Sequence, residues 1–234
     1  MTFESIKNNE AIRTYISQAD ASLCALGYTE HSFAHVTHVA NTAGNILETL
    51  GYDTRTAELA GQLLEAFGYS EREVELAKIA GFMHDIGNLV NRVEHSQSGA
   101  VMAFRILDKL GMPPEEISEV VTAIGNHDEG TGVPVSPLAA ALILADKSDV
   151  RKTRVRCDDT YLDIHDRVNY SVESSVLRVD TTKSFIILEL TVNTELCAIM
   201  DYFEIFLERM LLCRKAAETL GSRFTLIING QQLL

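Results

Sequence analysis

Over its first two-thirds the chain repeats apolar residues at the three- and four-residue spacing of amphipathic helices. Val36, Val39, Ala40, Ala43 and Leu47 form one stripe, which predicts a helix over 31–50 closed by Gly51. Another is expected over 54–67, stopped by Gly68. Ser70 with Glu73 three residues on is a capping-box pattern, and it opens a helix whose Ala77, Ala80 and Met83 face a core. That helix runs to His84-Asp85 and ends at Gly87-Asn88, and residues 89–94 form a short connection. A helix over 95–110 stops at Gly111. Pro113-Pro114-Glu115-Glu116 then supplies a proline start and an acidic first turn. The apolar positions Ile117, Val120, Val121 and Ile124 lead from there to His127. After the turn residues 129–134, Ser136-Pro137 opens a helix through Leu138, Ala141, Leu142 and Ala145 to Asp146.

The pattern changes after about residue 170. Residues 175–180 and 184–192 read as strands joined at Thr181-Thr182-Lys183. A helix over 195–220 follows, closed by Gly221, and residues 224–228 make a last strand before Asn229-Gly230. The expected fold is therefore mainly α, a helical bundle over 1–155. Residues 156–234 are expected to form a connecting helix and a small β-β-α-β extension packed on it.

Composition narrows the function. With 46% hydrophobic residues the chain can bury an ordinary core. Its 33 acidic against 20 basic residues give a net charge of −13, which argues against binding extended nucleic acid. A small phosphorylated ligand remains compatible, because a bound metal reverses local charge. The start Met1-Thr2-Phe3-Glu4-Ser5 has neither the basic start nor the apolar stretch of a secretory signal. The apolar run from Leu138 to Ala145 is too short for a membrane span. A cytoplasmic protein without membrane partners is expected. Cys24, Cys157, Cys197 and Cys213 are scattered and form no Cys-x-x-Cys pair, which points to incidental thiols.

Candidate chemistry gathers at helix ends. His84-Asp85, His127 and Asp146 close helices, and His95 opens one. Imidazole mixed with carboxylate suits a divalent transition ion (Mn, Fe, Zn, Co or Ni, with Mg a further option) better than an all-oxygen calcium cage. Two such ions can activate water and hold a phosphoryl oxygen. His31, His35 and His38 share one face of the 31–50 helix, and each is a rival for a ligand there.

The phrases His35-Val36-Thr37-His38-Val39-Ala40, Met83-His84-Asp85-Ile86-Gly87 and Leu144-Ala145-Asp146-Lys147 resemble the HD superfamily of metal-dependent phosphohydrolases. The resemblance covers about residues 28–155. It implies a first metal held by His35, His84, Asp85 and Asp146, with His35 preferred because Val39 completes the family's His-x-x-x-Val entry. His95-Ser96-Gln97-Ser98-Gly99 and Ala123-Ile124-Gly125-Asn126-His127 are similar to second-site segments of binuclear members. Two ions are then implied, with Asp85 between them; the alternative is one ion, with His95 and His127 binding phosphate. The stretch from His127 to Pro134 looks like a shortened relative of the HD-GYP loop, with Asp128 where a second histidine is usual and Val133 where tyrosine is usual. Cyclic-dinucleotide specificity is not carried over.

The resemblance implies hydrolysis of a nucleotide or other small phosphoester by metal-activated water. Asp85 or Asp128 would orient the water or take its proton. Arg92 and Lys147 are candidates for binding the substrate phosphate, and Asn88 stands where many relatives carry lysine. His165-Asp166 falls outside the family order and is read as structural. Competing readings are a non-catalytic metal-containing nucleotide sensor or dimerisation module and, more weakly, a di-iron oxygenase. A homo-oligomer is left open.

Overall fold

A computed structural model describes residues 1–26, 70–150, 164–180 and 184–234, with the side chains of His165 and Asp166 excepted. The helices expected over 31–50 and 54–67, with His31, His35 and His38, lie outside the described residues, as do Cys157 and the turn at 181–183.

Two helices that the apolar pattern leaves unassigned open the chain, α1 (Phe3–Lys7) and α2 (Glu10–Ala25). Thr2 and Asn9 cap them, each accepting a backbone N–H through its side-chain oxygen. α3 (Glu71–Met83) starts at the expected capping box: Ser70 Oγ accepts from Glu73 N, and Glu73 Oε2 accepts from Ser70 N. It gives way to a 3₁₀ turn, Ile86–Leu89. α4 (His95–Lys109), α5 (Pro114–Gly125) and α6 (Pro137–Lys147) follow as expected. Gly111 ends the α4 segment with φ of 80°, a backbone conformation that an L side chain resists.

α6 is the keystone of the bundle. Every residue from Leu138 to Lys147 is buried, because it packs against α3, α5 and a long C-terminal helix. A helix apolar on all sides has to be interior. Each of its fully buried Leu and Ile side chains contributes about 1.5–3 kcal/mol by leaving water.

The extension begins with α7 (Ile164–Ser171), which runs directly into β1 (Val172–Asp180). β1 therefore starts earlier than the pattern predicts, through an irregular register between Val172 and Ser174. β2 (Phe185–Val192) pairs antiparallel with β1, and the long helix α8 (Ile199–Thr219) then crosses to β3 (Arg223–Ile228), parallel to β2. α8 starts later than expected because Asn193 O accepts from Leu196 N and Cys197 N, which makes a turn of that segment. A two-residue strand β4 (Gln231–Gln232) completes the order β1-β2-β3-β4; its polar glutamines carry no strand pattern. Ile186, Leu188 and Leu226 belong to the same buried apolar cluster as Ala77, Ala80 and Leu142, so the extension shares the bundle's core.

Cys197 and Cys213 are buried free thiols, and Cys24 is exposed. Burial pushes the Cys213 thiol up to about 12. Among the described residues no helix is long and apolar enough to cross a membrane.

Candidate metal centre

The ends of α3, α5 and α6 and the start of α4 converge on one point. Close backbone approach makes this possible. A Cβ on Gly87 would lie 1.9 Å from His95 O and 2.5 Å from Gly99 N, so only glycine lets the 3₁₀ turn seat against the first turn of α4. Glu94, just before His95, has φ of 56°, and this left-handed residue turns the chain into α4.

His84, Asp85, His95, His127 and Asp146 are all buried and come together here. His84 Nε2 lies 3.3 Å from Asp85 Oδ2 and 3.6 Å from Asp146 Oδ1. His95 Nε2 lies 3.1 Å and His127 Nε2 3.9 Å from Asp85 Oδ1. The two oxygens of Asp85 thus face different histidines. Two three-residue groups result, each with ligand atoms within 4.8 Å of one another: His84, His127 and Asp146, and Asp85, His95 and His127. The His127 ring stands edge-on to both other imidazoles, with centroids 4.9 Å from His84 and 5.2 Å from His95.

The donor set fits a divalent transition ion. His84 Nδ1 is 2.8 Å from Gly81 O and His127 Nδ1 is 2.6 Å from Ile124 O. A carbonyl only accepts, so each Nδ1 carries a proton and each Nε2 is left facing inward. That is how a protein orients an imidazole ligand. His127 Nε2 is buried and has no hydrogen-bond partner among the described residues. Such an atom is costly unless something coordinates it.

Electrostatics favour a cation at this point. Burial opposes a charge on His84, but Asp85 and Asp146 outweigh it and raise the imidazole to about 10. Burial holds His127 below its ordinary value, which keeps it neutral as a ligand must be. Asp146 is ionised despite its burial, held well below the usual carboxylate range by Lys147, whose Nζ is 2.7 Å from Oδ2, and by His84.

The expected phosphate-binding residues lie beside this cluster. Asp85, Arg92, His95, Asp128, Asp146 and Lys147 line one small polar cavity of about 30 Å³, together with Glu129 and Arg209. Arg92 Nη1 is 3.1 Å from both ring nitrogens of His95, an equidistance that places it over the ring face rather than in its plane. Lys147 is buried, with Nζ 3.5 Å from Glu129 Oε1.

Three residues escape the sequence reading. Asn88, noted there only as the absence of a lysine, donates through Nδ2 to the carbonyl oxygen and to Oδ1 of Asp85, both at 3.0 Å, and so positions that carboxylate. Glu129 reads as a turn residue in sequence. Arg209 sits on the buried face of α8 with Phe206 and Cys213, three residues before and four after it. A cation on an apolar stripe was the available signal. His35 and the side chains of His165 and Asp166 lie outside the described residues.

The chain is 26% identical over 185 residues to the uncharacterized protein MJ1020 of Methanocaldococcus jannaschii, an alignment covering 74% of this chain and 69% of that one. The HD domain family model matches residues 32–151, just over half of the chain and the span that holds His84, Asp85, His95, His127 and Asp146. The chain therefore belongs to the HD domain family, a superfamily of metal-dependent hydrolases that bind divalent ions.

Proposed function

We propose that this protein is a metal-dependent phosphohydrolase with a two-ion site, acting on a nucleotide or other small phosphoester. The observation that carries the reading is the arrangement of Asp85, whose Oδ2 faces His84 while Oδ1 faces His95 and His127. A carboxylate divided in this way could serve two neighbouring ions. His84, Asp146 and Asp85 would hold one, with His35, which lies outside the described residues, as the further ligand that the family resemblance implies. Asp85, His95 and His127 would hold the other. The helical domain is assigned to residues 1–155 and the extension to 156–234.

Divalent ions bound there would lower the pKa of water and offset charge on phosphoryl oxygens. The chain's own contribution is positional. Gly81 O and Ile124 O fix the imidazole tautomers, and Asn88 fixes the Asp85 carboxylate. Asp128, on the cavity wall, takes the proton of the attacking water, with Asp85 as the alternative acceptor. Arg92 and Lys147 meet the phosphate charge.

The test is turnover of a chromogenic phosphomonoester and a nucleotide panel by the chain stripped of metal and reloaded. Metal-dependent hydrolysis is expected, and His84→Ala should lower it at least about 100-fold, as loss of a metal-site component does. Unchanged turnover in that variant contradicts the proposal. Nucleotide binding without turnover by the wild type would replace it with the sensor reading.

A further inference from the structure

The span that identifies the family ends at residue 151, yet the wall of the candidate cavity does not. Arg209 comes from α8, in the C-terminal extension, and its side chain is 18% exposed. Its Nε donates to Glu129 Oε1 at 2.7 Å, and Lys147 Nζ lies 3.5 Å from that same oxygen. One carboxylate oxygen thus sits between a guanidinium and an ammonium, the position a phosphate oxygen takes between two such cations. The contact uses only Nε; the two terminal nitrogens of the fork make no hydrogen bond among the described residues.

The guanidinium is held in place. Its Cζ is 4.5 Å from the centroid of the Phe206 ring one turn earlier. α8 itself is locked to the loop that carries Asp128 and Glu129. Thr219 Oγ1 donates to Pro134 O at 3.1 Å, and Leu212 Cδ2 lies 3.2 Å from where a Cβ on Gly132 would be. Four carboxylates and three cations line the cavity. Divalent ions held by Asp85 and Asp146 would turn that balance positive and leave Glu129 as the carboxylate that Arg209 and Lys147 share.

We propose that Arg209 joins Lys147 and Arg92 in the phosphate subsite of this cavity, with Glu129 as an internal carboxylate that yields its place beside Arg209 and Lys147 to the ligand. The inference rests on reading the cavity as a phosphoester site, and it makes the extension part of that site. It differs from a purely structural clamp between α8 and the loop in a measurable way. A clamp loses the same contact whichever partner is removed. A subsite loses affinity without the arginine and gains it without the competing carboxylate.

The test is calorimetric titration of inorganic phosphate into the full metal-loaded chain. Arg209→Gln should weaken binding at least tenfold, and Arg209→Lys should weaken it less, since the charge stays and the fork is lost. Glu129→Gln should bind phosphate at least threefold more tightly than the wild type. Arg209→Lys and Glu129→Gln decide the matter even where Arg209→Gln does not fold. Phosphate affinity unchanged in the arginine variants, or lost in Glu129→Gln as in Arg209→Gln, overturns the proposal, and so does a wild type that binds no phosphate. Turnover of the chromogenic phosphoester separates the two readings. Hydrolysis with no response of phosphate affinity to Arg209 leaves the phosphohydrolase reading standing and this one refuted. The predicted phosphate response without hydrolysis does the reverse.

Discussion

On the proposed reading, His84 would couple the protonation of this protein to the binding of a divalent ion beside Asp85 and Asp146. Its imidazole is raised from 6.5 to about 10 by Asp85 and Asp146 against the effect of burial. A group whose pKa rises on folding contributes stability that is fully present below its unfolded value and lost as pH rises through its folded one. The metal-stripped chain should therefore lose thermal stability between about pH 6.5 and 10 through this residue. A metal has to displace the same proton, so its affinity should climb roughly tenfold per pH unit across that window. Calorimetry at pH 7.5 in buffers of different protonation heat should register one proton released per His84 engaged. Metal binding independent of pH would contradict the tautomer and charge assignments. The meeting of His84, Asp85, His95, His127 and Asp146 was legible because these residue types stand where the apolar helical spacing starts or stops, and because the phrases around them resemble the HD superfamily. Asn88 and Glu129 were not, because a hydrogen bond to Asp85 and a contact with Arg209 leave no local pattern.

Among the elements, the seat of the 3₁₀ turn on α4 decides whether the two halves of the site meet. The Cβ of Gly87→Ala would collide with the backbone at His95 and Gly99, where no flexible side chain can give way. Overpacking of this kind costs about 1–3 kcal/mol, and here it would also push His95 away from Asp85. Gly87→Ala should lower the thermal midpoint and weaken metal uptake. Gly130→Ala, whose Cβ would meet nothing within 4 Å, should change neither. Equal behaviour of the two variants would refute the role given to the turn. Helix positions were readable from capping and apolar spacing, as at Ser70 and Ser136. Element edges were less so: α7 flows into β1 without a break, and the turn at Asn193 delays α8. Those boundaries depend on tertiary hydrogen bonds rather than on residue preference.

At the scale of the molecule, a helical bundle and an α+β extension share one core, and α8 reaches from the second to the wall of the cavity. The fold class was readable because the apolar period changes near residue 170. The reach of Arg209 across to Glu129, 80 positions away in sequence, was not, because only the packing of α8 on α6 creates it. The central claim is that the buried cluster around Asp85 holds two divalent ions. Elemental analysis of the full chain after loading with manganese and desalting, beside Asp85→Asn, tests it most directly. Two ions per wild-type chain and at most one in the variant are predicted. No retained metal, or the same content in both, would contradict it.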